Sequence, residues 1–276
     1  MTQTLPVSAS PVKAPAKTSR REERRRRRNA ARQAAGGAAD AAGAPAAAPG
    51  KVAPDTTRPE DRLAIRLLQA FDMCFARIYH RINVLSPQRL PKHGPAILIC
   101  NHVSGLDPML IQSVCPRLIV WMMAREYYEI RGLHTIFRTV EAIPVDRGGR
   151  DLAATRAALR ALEAGRILGV FPEGKIETSR QLLPFQTGVA LMAIKAGVPV
   201  YPAYLDGTQR NKKMLQAFLY PNVASLAFGP AVEFDAGSTS KEVLQAATDR
   251  FTEAVARLKA ATERTMPGRR MAERRA

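Results

Sequence analysis

Cysteine, aromatic residues and long apolar runs are all scarce in this 276-residue chain. Its three cysteines, Cys74, Cys100 and Cys115, are odd in number and show no C-x-x-C spacing, which excludes a disulfide framework and a thiolate zinc site. They sit among apolar neighbours, where cysteine behaves as a small hydrophobe. No apolar run approaches the ~18–20 residues that a membrane-spanning helix needs. The positive N-terminus lacks the apolar core of a secretory signal. Missing too are G-x-S-x-G, H-E-x-x-H, Walker A and G-x-G-x-x-G, so a hydrolase elbow, a zinc-protease helix and a nucleotide loop are not expected. The expectation is a protein of the cytosol, or one held against a membrane face without crossing it.

Positive charge, by contrast, is abundant, with 42 Lys and Arg against 24 Asp and Glu. The ends hold most of the excess: residues 1–58 carry a net +8 and residues 264–276 a net +4, leaving about +6 for the 205 residues between them. A nucleic-acid function is therefore not expected from global charge, because the central region has the balance of an ordinary basic enzyme. Residues 1–57 are built from Ala, Pro, Gly, Thr and Arg, with RREERRRRR at 20–28. Such a segment cannot bury enough apolar surface to offset its ordering entropy and reads as a disordered basic tail. Residues 264–276 read as a second basic tail. Between them, 58–263 reads as one domain, with 58–90 as its N-terminal amphipathic helix region.

Within that region Leu63, Leu67, Phe71, Cys74, Phe75, Ile78, Ile82 and Leu85 recur at spacings of three and four, which predicts a helix with one apolar face. Arg66, Arg77 and Arg81 fall mainly on its polar side. Either the apolar face packs on the domain or it lies in a membrane interface. Short apolar segments then alternate with helical ones. Strands are expected at Ala96–Cys100, Leu118–Met122, Val140–Val145, Ile167–Phe171, Val198–Leu205 and Ala224–Phe228. Helices are expected at Asp151–Ala164, at Thr187–Ala196 ending on Gly197, and at about Ser240–Thr262 behind a Thr239-x-x-Glu242 capping box. The fold class is α/β, a largely parallel central sheet flanked by helices.

In such sheets ligands sit beyond the carboxyl ends of the strands, and the residues that follow each strand are polar. Asn101 and His102 follow AILIC, and Asp107 comes five residues after His102. A turn of that length lets the carboxylate orient one imidazole nitrogen, leaving the other to take a proton from a hydroxyl or thiol. Asp107-Pro108 also reads as a helix N-cap followed by proline at the first helical position; one oxygen could serve each role. Arg147 before Gly148-Gly149 suits phosphate, or is a solvated loop arginine. Pro172, Glu173 and Gly174 form a turn after ILGVF.

Taken together these segments resemble the 1-acylglycerol-3-phosphate acyltransferase family. Four family blocks stand in order: N-H-x-x-x-x-D with Asn101, His102 and Asp107; AIPVDRGG with Arg147; VFPEG, 170–174, followed by LLPFQTGVALMAIKAGVPV; and VPVYPAY around Pro199 and Pro202. The likeness covers roughly residues 91–229, about half the chain. It implies transfer of a fatty acyl group from coenzyme A or acyl carrier protein to the hydroxyl of a lysophospholipid, making phosphatidate from 1-acylglycerol-3-phosphate. His102 would be the general base and Asp107 its orienter. Arg147 would hold the acceptor's phosphate, with Glu173, Gly174, Lys175, Asn101 and Pro172 at the substrate pocket. No metal, cofactor or covalent intermediate is implied. The third block departs from the usual E-G-T-R-S: after Gly174 come Lys175, Ile176 and Glu177, so the second phosphate-binding arginine is replaced by Ile176, and an acceptor with another head group becomes an alternative. An enzyme whose substrate lies in a bilayer yet has no spanning segment needs an interfacial surface. The N-terminal helix is therefore expected to touch the membrane, reinforced by the basic tail, with the protein peripheral on the cytoplasmic face. A non-catalytic polyanion- or membrane-binding protein is the remaining alternative.

Overall fold

A computed structural model describes residues 62–147, 151–177, 179, 181–208 and 214–265, all within the compact unit Ala46–Ala276. The basic tail expected over 1–57 lies outside the described residues, and of 264–276 only Arg264 and Thr265 lie inside. Seven strands make one sheet: β1 (Asn83–Val84), β2 (Ala96–Cys100), β3 (Ile119–Ala124), β4 (Ile143–Val145), β5 (Ile167–Val170), β6 (Val200–Asp206) and β7 (Ser225–Phe228). Their lateral order is β1-β7-β6-β2-β5-β3-β4, parallel at every pairing except β6 with β7. β2 lies in the middle because all five of its residues are apolar and buried, as a strand covered on both faces must be.

Alternate residues of the central strands feed two cores. Ile97, Ile99, Leu168, Val170 and Val200 face one side, where α5 (Leu152–Glu163), α6 (Gly188–Ala196) and α8 (Lys241–Thr265) cover them with Ala158, Leu162, Val189, Ala193, Phe251 and Val255. Leu98, Cys100, Ala203 and Trp121 face the other side, against Leu106, Leu110 and Ile111 from the α2 segment (Asp107–Gln112) and Ala76 from the N-terminal helical segment. Asp151 caps α5 by accepting the Ala154 N–H at 2.8 Å, and Gly197 ends α6 in the left-handed conformation at φ 62°, as their positions in the sequence suggest.

Three expectations need correction. The strand expected over 140–145 is only Ile143–Val145, because Val140 still closes helix α4 (His134–Thr139) and Glu141 turns the chain with φ 59°. The last helix is capped by Ser240, whose Oγ accepts the Val243 N–H at 3.4 Å, rather than by Thr239. Short helices α3 (Arg125–Tyr128) and α7 (Met214–Leu219), and strand β1, had no signal long enough to read.

The third concerns the N-terminal helix. It is α1 (Leu63–Cys74), extended by a π-helical turn at Phe75–Tyr79 and finished by His80 rather than running to Leu85. The expected apolar face is there, but only its C-terminal part packs on the domain, through Phe75 and Ile82. Leu63, Leu67, Phe71 and Ile78 are 71%, 61%, 56% and 77% exposed, whereas Ile65, Asp72, Ala76 and His80 turn inward. α1 thus docks by a narrow edge and leaves its wide apolar stripe uncovered. Stacked Phe71, Phe75 and Tyr79 run along it, and Phe75 stacks on Phe218 of α7 at 4.4 Å. The Tyr79 hydroxyl donates to the Leu219 C=O at 2.7 Å. No helix among the described residues is long and apolar enough to cross a membrane.

Candidate active site

The end of β2 delivers His102 into a turn that Asp107 organises. Asp107 lies at the first position of α2, but its side chain does not cap that helix. Instead Oδ2 accepts three hydrogen bonds, from His102 Nδ1 at 2.9 Å and from the peptide N–H groups of Val103 and Ser104 at 2.6 and 2.8 Å. Of the two contacts expected of Asp107, the one to His102 is present and the helix cap is not. The carboxylate is fully buried, so its desolvation cost is offset by these charge-assisted bonds, worth roughly 1.5–3 kcal/mol each. With Asp107 as acceptor, Nδ1 carries the ring proton and Nε2 keeps its lone pair.

An aromatic stack fixes the ring plane. His102 lies on Phe171 at 4.0 Å with 12° between planes, and Phe171 lies on Trp121 at 4.8 Å, again at 12°. Trp121 can lie flat against the sheet because its neighbour across the ladder is Gly169, where a Cβ would run into the indole. Nothing in the motif singled out Trp121, Phe171 or Gly169. The available signals were the chain's one tryptophan and a glycine inside an otherwise apolar strand.

The turn after β5 holds the main chain of His102. Glu173 Oε1 accepts the His102 N–H at 3.2 Å, Oε2 accepts the Leu183 N–H at 3.3 Å, and the Glu177 N–H donates to the His102 C=O at 2.7 Å. Burial pushes the Glu173 carboxyl up to about 7; the two peptide N–H groups oppose that rise, and the nearby carboxylates of Glu177 and Asp107 add to it. Gly174 takes φ 69°, and a Cβ there would meet the Gln186 amide, so glycine is required for the turn. The Pro172 C=O accepts the Gln186 N–H at 2.9 Å.

The remaining expected residues are more dispersed. Both ends of the Asn101 amide are engaged by the Leu205 peptide, at 2.9 and 2.8 Å, which clips β2 to β6. Pro172 is buried and Lys175 exposed. Arg147 follows β4 at the sheet edge, three strands from β2, or roughly 14 Å at the usual spacing. There it pairs with Glu126 at 3.2 Å and lies over the Tyr127 ring at 5.8 Å. Beside it Arg125 binds Asp146, at 2.5 and 3.1 Å. Gly148, Gly149 and Arg180 lie outside the described residues. Among the described residues no group of three or more His, Cys, Asp or Glu could hold a metal ion.

Residues 81–206 match a family model described as Acyltransferase. The chain is 24% identical over 136 residues to the 1-acyl-sn-glycerol-3-phosphate acyltransferase of Bacillus subtilis, covering 49% of this chain and 67% of that protein. It is 29% identical over 125 residues to the human 1-acyl-sn-glycerol-3-phosphate acyltransferase beta, covering 44% of this chain and 45% of that protein. The matched region thus spans between 45% and 67% of the length of these two relatives. Its fold is similar to the crystal structure of the 1-acyl-sn-glycerophosphate (LPA) acyltransferase PlsC from Thermotoga maritima, with a TM-score of 0.57 and 24% identity over 71% of this chain and 79% of that one.

Proposed function

We propose, from the premise that residues 81–206 belong to the Acyltransferase family, that this chain moves a fatty acyl group from a thioester to the hydroxyl of a lysophospholipid. The acceptor we assign is 1-acylglycerol-3-phosphate and the product phosphatidate, as the relatives' names say of those proteins. The observation that supports the reading best is the 2.9 Å pairing of His102 Nδ1 with a carboxylate that two peptides hold in place. Nε2 takes the hydroxyl proton, the oxygen attacks the thioester carbonyl, and the tetrahedral intermediate collapses with loss of the C–S bond. The departing thiolate recovers the proton from the imidazolium, so ester and free thiol are the products. The acyl donor is coenzyme A or acyl carrier protein.

Arg147 is assigned to the acceptor's phosphate. It can turn from Glu126 to a ligand at small cost, since an exposed ion pair is worth about 0–1 kcal/mol. The uncovered stripe of α1 is assigned to the lipid surface, with Arg62, Arg66, Arg77 and Arg81 exposed on the same segment to meet anionic head groups. The protein is then peripheral, on the cytoplasmic face.

The test is incubation of the full chain with labelled acyl donors and a panel of lysolipids, followed by identification of the product. Phosphatidate formed by the wild type and reduced ~10²–10⁴-fold in His102→Ala supports the reading. No acylated product with any acceptor, or equal rates in both proteins, refutes it. A second acceptor is worth including for one specific reason: Ile176 stands where the resembled pattern has arginine, and a lysolipid with another head group that outcompetes lysophosphatidate would redirect the assignment.

A further inference from the structure

His102 is gripped on both sides of its peptide by one turn. Glu173 takes its N–H and Glu177 supplies an N–H to its C=O, while the second Glu173 oxygen reaches Leu183 on the segment that leads into α6. Glu173 is only 5% exposed, and each of its carboxylate oxygens already accepts a peptide N–H.

We propose that Glu173 is a positioning residue: its carboxylate locks the His102 peptide to segment 181–186, so that the imidazole meets the acceptor hydroxyl at a fixed angle. The role rests on the acyl-transfer reading; the lock itself is a matter of geometry. Glu173, Glu177 and Lys259 line one small pocket, partly open to solvent, together with Asn101, Gln181 and Tyr204. Two charges bear on Glu173, Glu177 from the same turn and Asp107 from α2; His102 meets it through its peptide N–H, and Lys259 from α8 faces the same pocket. Glu177 stands where the resembled pattern has serine, so the second carboxylate is a feature of this chain.

The lock works best ionised, because a carboxylate accepts two peptide N–H groups at full strength while a protonated carboxyl surrenders part of one oxygen. With the carboxyl titrating at about 7, it is charged above that pH and neutral below it. The grip on His102 therefore loosens as pH falls through 7. Removing the Glu177 charge lowers the Glu173 pKa and moves that loosening to lower pH.

The experiment compares the full-length wild type, Glu173→Gln and Glu177→Ser. Glutamine keeps one acceptor but turns an N–H₂ toward the other peptide N–H. The expected result is kcat about tenfold lower with acceptor KM within about twofold, and loss of the part of the acid limb centred near pH 7. Glu177→Ser should shift that limb to lower pH. A Glu173→Gln variant with raised KM and unchanged kcat would make Glu173 a substrate ligand and overturn the proposal, as would an acid limb identical in all three proteins. The amide resonances of His102 and Leu183, followed against pH, separate the lock from the enzymology. Titration near pH 7 in wild type that vanishes in Glu173→Gln supports the lock even if no acyl transfer is found. Flat wild-type amides overturn the lock whatever the activity.

Discussion

Asp107→Asn is the substitution that tests the site most directly, because the structure assigns each consequence separately. An amide can place its oxygen where Oδ2 lies and still accept from His102 and the Val103 and Ser104 peptides. Those three bonds lose their charge assistance, which roughly halves them. The amide NH₂ then falls where Oδ1 lies, a fully buried position with no hydrogen-bond partner. An unsatisfied buried donor costs about 1–3 kcal/mol. The combined loss of about 3–7 kcal/mol lowers Tm by about 6–28 °C for a domain of this size. Catalysis suffers independently, because the imidazolium loses its counter-ion, and a fall of ~10²–10⁴ in kcat is expected. Thermal unfolding gives the first quantity. The second needs rates measured well below the lowered Tm for Asp107→Asn, His102→Ala and the double variant. If Asp107 acts through His102, the double variant is no slower than His102→Ala. Multiplicative losses in the double variant, or an Asp107→Asn protein above half of wild-type kcat, would refute the reasoning.

Gly169→Ala should cost about 1–3 kcal/mol and lower kcat, since the new methyl displaces Trp121 and with it the Phe171 face that carries His102; unfolding midpoints and rates that both match wild type would refute the stack's role. Replacing Leu67, Phe71 and Ile78 together by glutamate should leave Tm nearly unchanged, because these side chains are exposed, yet abolish sedimentation with anionic vesicles; retained binding would remove α1 from the lipid surface. Asp72 is raised to about 7 by burial, so the native state holds a proton that the unfolded chain releases near pH 4, and stability falls as pH rises from about 4 to about 7. Asp72→Asn should therefore raise Tm at about pH 8 and change it little at about pH 4, and an equal effect at both would contradict the assignment.

Much of the fold was legible because local signals were strong. AILIC could only be a strand covered on both faces, and it is the buried centre of the sheet. Asp151 and Gly197 marked helix ends by chemistry that operates within a few residues. The His102–Asp107 pair was legible for the same reason, as five residues of turn limit where the carboxylate can go. What failed to show was lateral. Strand order is set by which strands pair, and β5 enters between β2 and β3. The first, third and fourth blocks thereby come together on β2, β5 and β6, while the block with Arg147 is carried to the edge. The resemblance implied a place for Glu173 at the substrate pocket, but its burial and its two peptide contacts could not be read from its position after a strand. The stripe of α1 was read correctly as apolar, but periodicity identifies a face without saying what covers it.

The two faces of the sheet explain how a rigid base and a membrane-borne acceptor could be brought together. One face is closed by α5, α6 and α8 through a continuous core from Ile97 to Val255. The other carries α2 and the Trp121–Phe171–His102 stack, and Ala76, just beyond α1, joins its core. The uncovered stripe of α1 and the imidazole are thus associated with the same side of the sheet, and α1 packs directly on α2, the helix that begins with Asp107. A lipid acceptor held at α1 would approach from that side, without crossing the closed core. Charge placed on the outer face of α8, for instance at the exposed Ala256 by Ala256→Lys, should then leave vesicle binding and turnover on vesicle-borne acceptor unaltered. The glutamates on α1 should raise the apparent KM for that acceptor but not for a short-chain, water-soluble one. Equal loss on both acceptors would mean that α1 supports the fold of the site rather than its access to lipid.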